Sequence, residues 1–120
     1  METIKIIIQI AISFTIFNVW IFRFSKPTKW RGKDAQNMNE EFNLYGLNSS
    51  FLKLVGFLKL SLAVLLIVGI FIPEIVIPTS IGMAVLMSGA ISMHIKVQDP
   101  IIKSLPAFTM LMLSIILIFI

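Results

Sequence analysis

A lysine deep inside a long apolar segment is the residue of this chain that most clearly predicts chemistry. Lys59 lies about eight residues inside the apolar run 51–72, which is long enough to cross a bilayer. A charge at that depth costs roughly 2.5–3.5 kcal/mol on insertion scales. Lys59 therefore needs a carboxylate, a water-filled pocket or a bound ligand to offset that cost.

Three further polar side chains are expected at the same level as Lys59. Asn18 and Arg23 lie at the end of the first apolar segment, and His94 lies near the end of the third. If each segment is a helix, four polar side chains from three helices converge in one half of a bundle. The alternative for Asn18 and His94 is ordinary hydrogen bonding between helices. One histidine without cysteine is a poor ligand set, so no metal site is predicted.

The loop before the second apolar segment is predicted to contain a short helix. Apolar residues recur at helical spacing over about 34–45, which is typical of an amphipathic helix. Asp34 is the predicted N-cap, and Gly46 is the predicted C′ residue. Tyr45 is expected to anchor this helix against the bundle or the membrane surface.

This loop also supplies the candidate carboxylates. Glu41 is the preferred partner of Lys59, because it flanks the apolar stripe, with Asp34 and Glu40 behind it. The pattern predicts a polar pocket lidded by residues 34–46. Its candidate residues are Asn18, Arg23, Asp34, Glu41, Tyr45, Lys59 and His94. The alternative is that Lys59 reaches back to the surface and has only a structural role.

Composition and segment length predict an all-α membrane protein. Of the 120 residues, 58% are hydrophobic, which is more than a soluble domain of this size needs. Four apolar segments, at about 4–24, 51–72, 75–95 and 101–120, each have roughly the 20 residues of a membrane span. We expect a single four-transmembrane-helix bundle domain over 1–120, with the short amphipathic helix in the first loop. The first segment is interpreted as a retained helix, because it is too long for a signal peptide and no small-x-small cleavage site follows.

Basic residues concentrate on one predicted side of the membrane. The side opposite both termini carries Arg23, Lys26, Lys29, Arg31, Lys33, Lys53, Lys96 and Lys103. The positive-inside rule makes that side cytoplasmic and places both termini outside. The predicted membrane-surface anchors are Lys26, Lys29, Trp30, Arg31 and Lys33.

Other short signals predict helix ends and packing faces. A stripe of residues on the first span is expected to face other helices: Ala11, Thr15, Asn18 and Phe22. Ser49 or Ser50 is the predicted cap of the second span. Asp99–Pro100 is expected to start the fourth span, and Pro106 to bend its second turn.

Composition also excludes several classes of function. The chain has no cysteine, so thiol redox chemistry and a disulfide within it are excluded. It has no recognisable nucleophile–base pair and no Gly-rich phosphate loop, so no catalytic residue is predicted. The net charge of +4 follows the membrane topology, and no nucleic-acid partner is expected.

Ordered motifs along the chain resemble the DoxX-like family of small membrane proteins. They are WRGKDA (30–35), EEF (40–42), YGL (45–47), LVGFLK (54–59), MSGA (87–90), HIKVQDP (94–100) and SLPA (104–107). The resemblance implies a four-helix protein, mostly bacterial, and hence a location in the cytoplasmic membrane. Family members are linked to membrane oxidoreductase complexes, including a small subunit of a thiosulfate:quinone oxidoreductase. A distant animal relative, NACHO, is a chaperone for nicotinic receptors.

Three functions are compatible with these observations. The first is a non-catalytic membrane subunit or assembly factor, because the chain is small and has little mass outside the bilayer; its partner is another membrane protein or a second copy. The second is a quinone- or lipid-binding accessory subunit of a membrane oxidoreductase, in which Lys59 and His94 bond the head group. The third is a transporter or proton path, which four short spans without broken half-helices or inverted repeats disfavour.

Overall fold

The protein consists of four long helices and a short helix in the first loop. The computed structural model describes residues 2–26, 30–32 and 35–120. Its helices are α1 (Glu2–Phe17, continued by a π-helical turn at Asn18–Phe22), α2 (Met38–Leu44), α3 (Ser49–Val68), α4 (Val76–Lys96) and α5 (Leu105–Phe119). Short 3-10 turns at Pro73–Ile75 and Ile101–Ser104 lead into α4 and α5.

Four helical stretches of the described chain are long and apolar enough to span a membrane. They are Glu2–Phe22, Ser49–Val68, Pro73–Lys96 and Ile101–Phe119. Large apolar side chains such as Phe14, Phe71 and Phe119 point outward from the bundle, which is the pattern expected when the solvent is lipid. The predicted fold class, an all-α membrane bundle with a short helix in the first loop, is confirmed.

The long helices run alternately up and down and pack in a ring. α1 packs against α3 and α5, and α4 packs against the same two helices. Apolar side chains from all four fill the centre: Ile12, Ala63, Leu66, Met83 and Leu117. We call the end of the bundle that carries the first loop, the start of α3 and the end of α4 the loop end. The opposite end is the far end.

The face of α1 that packs on α3 differs from the predicted stripe. Gln9 Nε2 donates to the Leu66 carbonyl at 2.8 Å, and Ser13 Oγ donates to the Ala63 carbonyl at 2.9 Å. Both side chains are buried, whereas Ala11 and Phe22 of the predicted stripe are exposed. The prediction was therefore only partly right, since Thr15 and Asn18 of the stripe line an interior cavity but its two ends do not face other helices. Direct bonds to carbonyls of α3 fix the packing instead.

The loop helix α2 is shorter than predicted and has well-formed ends. Asn37 is its N-cap, and its side chain accepts from the Glu40 N–H at 2.9 Å. Gly46 adopts a φ of +79°, which confirms it as the C′ residue. The Leu47 N–H bonds the Phe42 carbonyl at 2.9 Å, which completes a Schellman motif. The predicted N-cap, Asp34, lies outside the described residues.

The starts of α3 and α5 also differ from the predictions. α3 is capped by Asn48, whose side chain accepts from the Phe51 N–H at 2.9 Å, and not by the serines that follow. The fourth span begins at Ile101, directly after Asp99–Pro100 as predicted, but no side chain of the described residues caps its first turn and the Asp99 carboxylate bonds His94. Pro106 lies in the first turn of α5 and not in the second, at a position where its missing N–H costs no helical hydrogen bond.

Candidate functional site

The π-helical turn at the end of α1 positions Trp20 beside Lys59. The Arg23 N–H bonds the Asn18 carbonyl five residues back at 2.9 Å, a pattern frequent at functional sites. Trp20 is buried, and its ring lies so close to Gly56 that a Cβ added there would meet ring carbon Cζ3 at 2.9 Å. The Lys59 ammonium lies 5.4 Å from the centroid of the Trp20 ring. Sequence reasoning missed Trp20; the available signal was Gly56, three residues before Lys59.

The predicted ion pair between Lys59 and Glu41 is wrong. Glu41 gives its Oε1 to Arg31 at 3.2 Å, and Lys59 forms no ion pair with any carboxylate of the described residues. Glu41 is nevertheless nearby, because it and Lys59 line the same cavity. Arg31 competes successfully for this carboxylate because its planar guanidinium fits carboxylate and carbonyl oxygens together.

Arg31 organises the start of the first loop. Its side chain is only 4% exposed, and its guanidinium donates to the backbone carbonyls of Arg23, Phe24 and Lys26 as well as to Glu41. These carbonyls follow the end of α1, where helical partners are lacking. The prediction that Arg31 is a membrane-surface anchor is therefore corrected, because its donors are committed inside the protein.

Tyr45 joins this cluster from the end of α2. Its hydroxyl donates to Glu41 Oε2 at 2.5 Å, and its ring meets that of His94 edge-on at a centroid distance of 5.9 Å. Burial, followed by the negative charge of Glu41, raises the pKa of Tyr45 above its usual range. Tyr45 therefore stays a neutral phenol that donates its proton to Glu41. The Gly32 N–H is a further donor to Glu41 Oε2, at 3.0 Å.

Side chains at the loop end of α4 and α5 tie the first loop to the bundle. Lys96 Nζ donates to the Tyr45 carbonyl at 2.8 Å, and Lys103 Nζ donates to the Arg31 carbonyl at 2.7 Å. His94 Nδ1 lies 2.8 Å from a carboxylate oxygen of Asp99, whose side chain is 1% exposed. Lys96 and Lys103 thus hold the loop in place.

A cavity of about 710 Å³ lies among these residues, inside the loop end of the bundle. Its walls are mainly apolar and come from all four long helices and from α2. The polar or charged side chains on its wall are Thr15, Asn18, Arg23, Arg31, Glu41, Tyr45, Lys59, His94 and Lys103. Volumes of roughly 300–1,000 Å³ with a few convergent polar groups are typical of small-molecule sites.

The predicted site residues can now be located. Six of the pocket candidates line the cavity: Asn18, Arg23, Glu41, Tyr45, Lys59 and His94. Asp34, Lys29 and Lys33 lie outside the described residues. Of the other predicted anchors, Lys26 is exposed, whereas Trp30 is half-buried and lines the cavity.

The chemistry of the cavity is that of a binding site for oxygen-bearing groups. Lys59 offers an ammonium. His94 Nδ1 bonds the Asp99 carboxylate, which leaves the second ring nitrogen, Nε2, available for a hydrogen bond to a ligand. In the described part of the chain, no three His, Asp or Glu side chains gather as a metal site would require.

Comparison with known proteins agrees with this architecture. The fold defines a four-helix membrane protein with a polar cavity at one end. The model of the DoxX-like family matches residues 21–118, so the chain belongs to the DoxX-like family. Neither the curated proteins nor the solved structures include a match.

Proposed function

We propose that this protein is a non-catalytic membrane protein that binds a small amphipathic molecule, a quinone or a lipid, in its loop-end cavity. The observation that carries the proposal is the position of Lys59, an ammonium on the wall of a mainly apolar cavity inside the bundle. An ion pair with a described carboxylate does not neutralise it. A ligand oxygen at this position would offset the cost of keeping the ammonium within the membrane.

The lining residues suit the two parts of such a ligand. Lys59 donates to a head-group oxygen, and Nε2 of His94 bonds a second polar group of the head. The tail packs on apolar walls that include Val55, Leu86 and Met93. A quinone fits these groups, because its ring oxygens need donors in one redox state and acceptors in the other.

The test is the identity and amount of small molecule that co-purifies with the protein. Mass spectrometry of protein extracted in mild detergent is expected to detect a quinone or lipid at near-stoichiometric amounts. Lys59→Met keeps the length of the side chain and removes the charge, so occupancy should fall. Lys53→Met, at an exposed position six residues before Lys59 on α3, is the matched control and should keep the ligand. Unchanged occupancy in Lys59→Met would refute the proposal.

A second candidate is a role as an accessory subunit or assembly factor, and the outer face of α4 favours it. Ser88 and Ser92 are exposed there, and each hydroxyl bonds a carbonyl of its own helix at 2.9 Å. Small residues on a lipid-facing surface allow another helix to approach closely. Ser92→Leu should then release a membrane partner, or a second copy, in a mild-detergent pull-down. Recovery of the monomer alone from the wild type would contradict this candidate.

We also propose that the loop end faces the cytoplasm of a bacterial cell. Arg23, Lys26, Lys53, Lys96 and Lys103 share that end of the up-and-down bundle, whereas Glu2 and Glu74 lie at the far end. A reporter fused to the C-terminus that is active only outside the cytoplasm should give a signal. Activity of a cytoplasm-only reporter at the same position would reverse the topology.

A further inference from the structure

We infer that the cavity opens sideways to the bilayer between α3 and α4 and takes up an anionic lipid whose head group reaches Lys59. We call this opening the lateral portal; its sides are Phe51 and Val55 on α3 and Val85 and Gly89 on α4. The inference rests on the proposed binding function and narrows it in two respects, the route of entry and the charge of the ligand.

The packing between α3 and α4 becomes looser toward the loop end. Toward the far end the two helices touch, since a Cβ added to Gly82 would lie 3.3 Å from Leu62. Gly89 lies about 10 Å further along α4, at 1.5 Å of rise per residue. A Cβ added to Gly89 would have no atom within 4 Å, so α3 and α4 have separated at that point.

Three of the residues that line this gap are exposed. Val85 is 65% exposed, Phe51 is 44% exposed and Gly89 is exposed, yet all three line the cavity. They belong to membrane-spanning stretches, so the surface around them is lipid. A molecule already dissolved in the bilayer can therefore reach the cavity without crossing an aqueous phase.

The charged side chains on the cavity wall are mainly positive. Arg31 and Glu41 line the wall and neutralise each other. Lys59 and Arg23 also line it, and neither pairs with a carboxylate of the described residues. The cavity wall therefore carries an excess of positive charge, and a negatively charged head group compensates the Lys59 ammonium more fully than a neutral oxygen does.

The gap between α3 and α4, its exposure to lipid and the positive charge of the wall together indicate the ligand. It is an amphiphile with a phosphate or carboxylate head. Its head group enters the cavity and pairs with Lys59, while its acyl tail leaves between Phe51 and Val85 and remains among the lipids. The tail needs no enclosed space of its own, because the portal connects the cavity with the bilayer.

The experiment compares lipids of equal tail and different charge in one protein sample. The full chain is placed in nanodiscs of phosphatidylcholine mixed with phosphatidylglycerol of the same acyl chains, and retained lipid is measured by native mass spectrometry. We expect phosphatidylglycerol to be retained about tenfold over phosphatidylcholine, as the loss of one charge-assisted contact would predict. Lys59→Met should abolish the preference, and Lys53→Met should preserve it.

A second pair of variants tests the portal. Gly89→Leu fills the gap between α3 and α4 and should slow the exchange of bound phosphatidylglycerol. Ile77→Phe adds bulk to an exposed position of α4 outside the cavity wall and should leave exchange unchanged. Equal exchange in the two variants would overturn the lateral route.

The remaining outcomes separate this inference from the function on which it rests. Retention of both phospholipids to the same extent would overturn the inference that the head group of the ligand is anionic. A neutral quinone retained in place of phosphatidylglycerol would overturn it as well, and the binding function would stand. If neither lipid nor quinone is retained by the wild type, both the inference and the proposed function fail.

Discussion

The ammonium of Lys59 lies over the indole ring of Trp20, 5.4 Å from its centroid. A desolvated cation–π contact is worth about 2 kcal/mol. Burying the charge costs roughly 2.5–3.5 kcal/mol on insertion scales, and more on an isolated helix. Trp20 therefore offsets part of the cost of placing the charge in the membrane. A ligand in the cavity can offset the remainder.

Removal of the Trp20 ring tests its structural contribution. Trp20→Ala should destabilise the protein by roughly 3–5 kcal/mol, because a large buried side chain is lost and Lys59 loses its contact. Thermal unfolding in detergent measures the effect. Phe14→Ala, on the same helix but 74% exposed, is the control and should change stability by no more than about 0.5 kcal/mol. Similar losses in the two variants would contradict the packing described.

The close approach of Trp20 to Gly56 makes a second prediction. Gly56→Ala should cost about 1–3 kcal/mol, because the new methyl group would lie 2.9 Å from the ring. Gly89→Ala, in a site without neighbours, should instead stabilise α4 by roughly 0.5–1 kcal/mol. Chemical denaturation of both variants distinguishes the two effects. A neutral or stabilising Gly56→Ala would mean that Trp20 lies elsewhere.

The Arg31–Glu41 ion pair leads to a third prediction about stability. Glu41→Gln should destabilise the protein by roughly 1–3 kcal/mol, because an amide group replaces an oxygen that accepts from buried donors. Those donors include Tyr45 and Gly32. Glu40→Gln is the matched control, because Glu40 is exposed and glutamine also serves at this capping position. If the melting temperatures of the two variants coincide, Glu41 does not organise the loop.

The raised pKa of Tyr45 predicts a loss of stability at alkaline pH. The folded state holds the phenol proton more tightly than the unfolded state, so stability is fully present below the ordinary pKa of about 10 and falls as the pH rises above it. Tyr45 is the single tyrosine of the chain, so phenolate absorbance reports it alone. We expect no phenolate signal from the folded protein near pH 10, and a smaller alkaline loss in Tyr45→Phe. Titration of the folded protein at an ordinary tyrosine pKa would contradict this burial.

The sequence predicted those features that depend on composition and local chemistry. Four spans follow from the length of the apolar segments, since a backbone in lipid must satisfy its own hydrogen bonds. The end of α2 follows from Gly46, because glycine tolerates the positive φ of a C′ position.

The contacts of the site join residues that are far apart in the chain or that a regular helix would place on different faces. Local sequence patterns do not predict such contacts. Arg31 lies in a basic stretch typical of a membrane surface, and only the folded loop places its guanidinium on Glu41. Trp20 reaches Lys59 through a π-helical turn, which departs from the 3.6-residue period on which face predictions rest. Glu41 and Lys59 line the same cavity but do not form the predicted ion pair.

The central claim is that Lys59 receives the polar head of a molecule bound inside the bundle. The most direct measurement is a high-resolution structure of the protein purified from its own membrane in mild detergent. Elongated density is expected in the cavity, with one end within hydrogen-bonding distance of Lys59 Nζ. A cavity closed by side chains, or an ammonium turned outward to the membrane surface with no molecule beside it, would contradict the account.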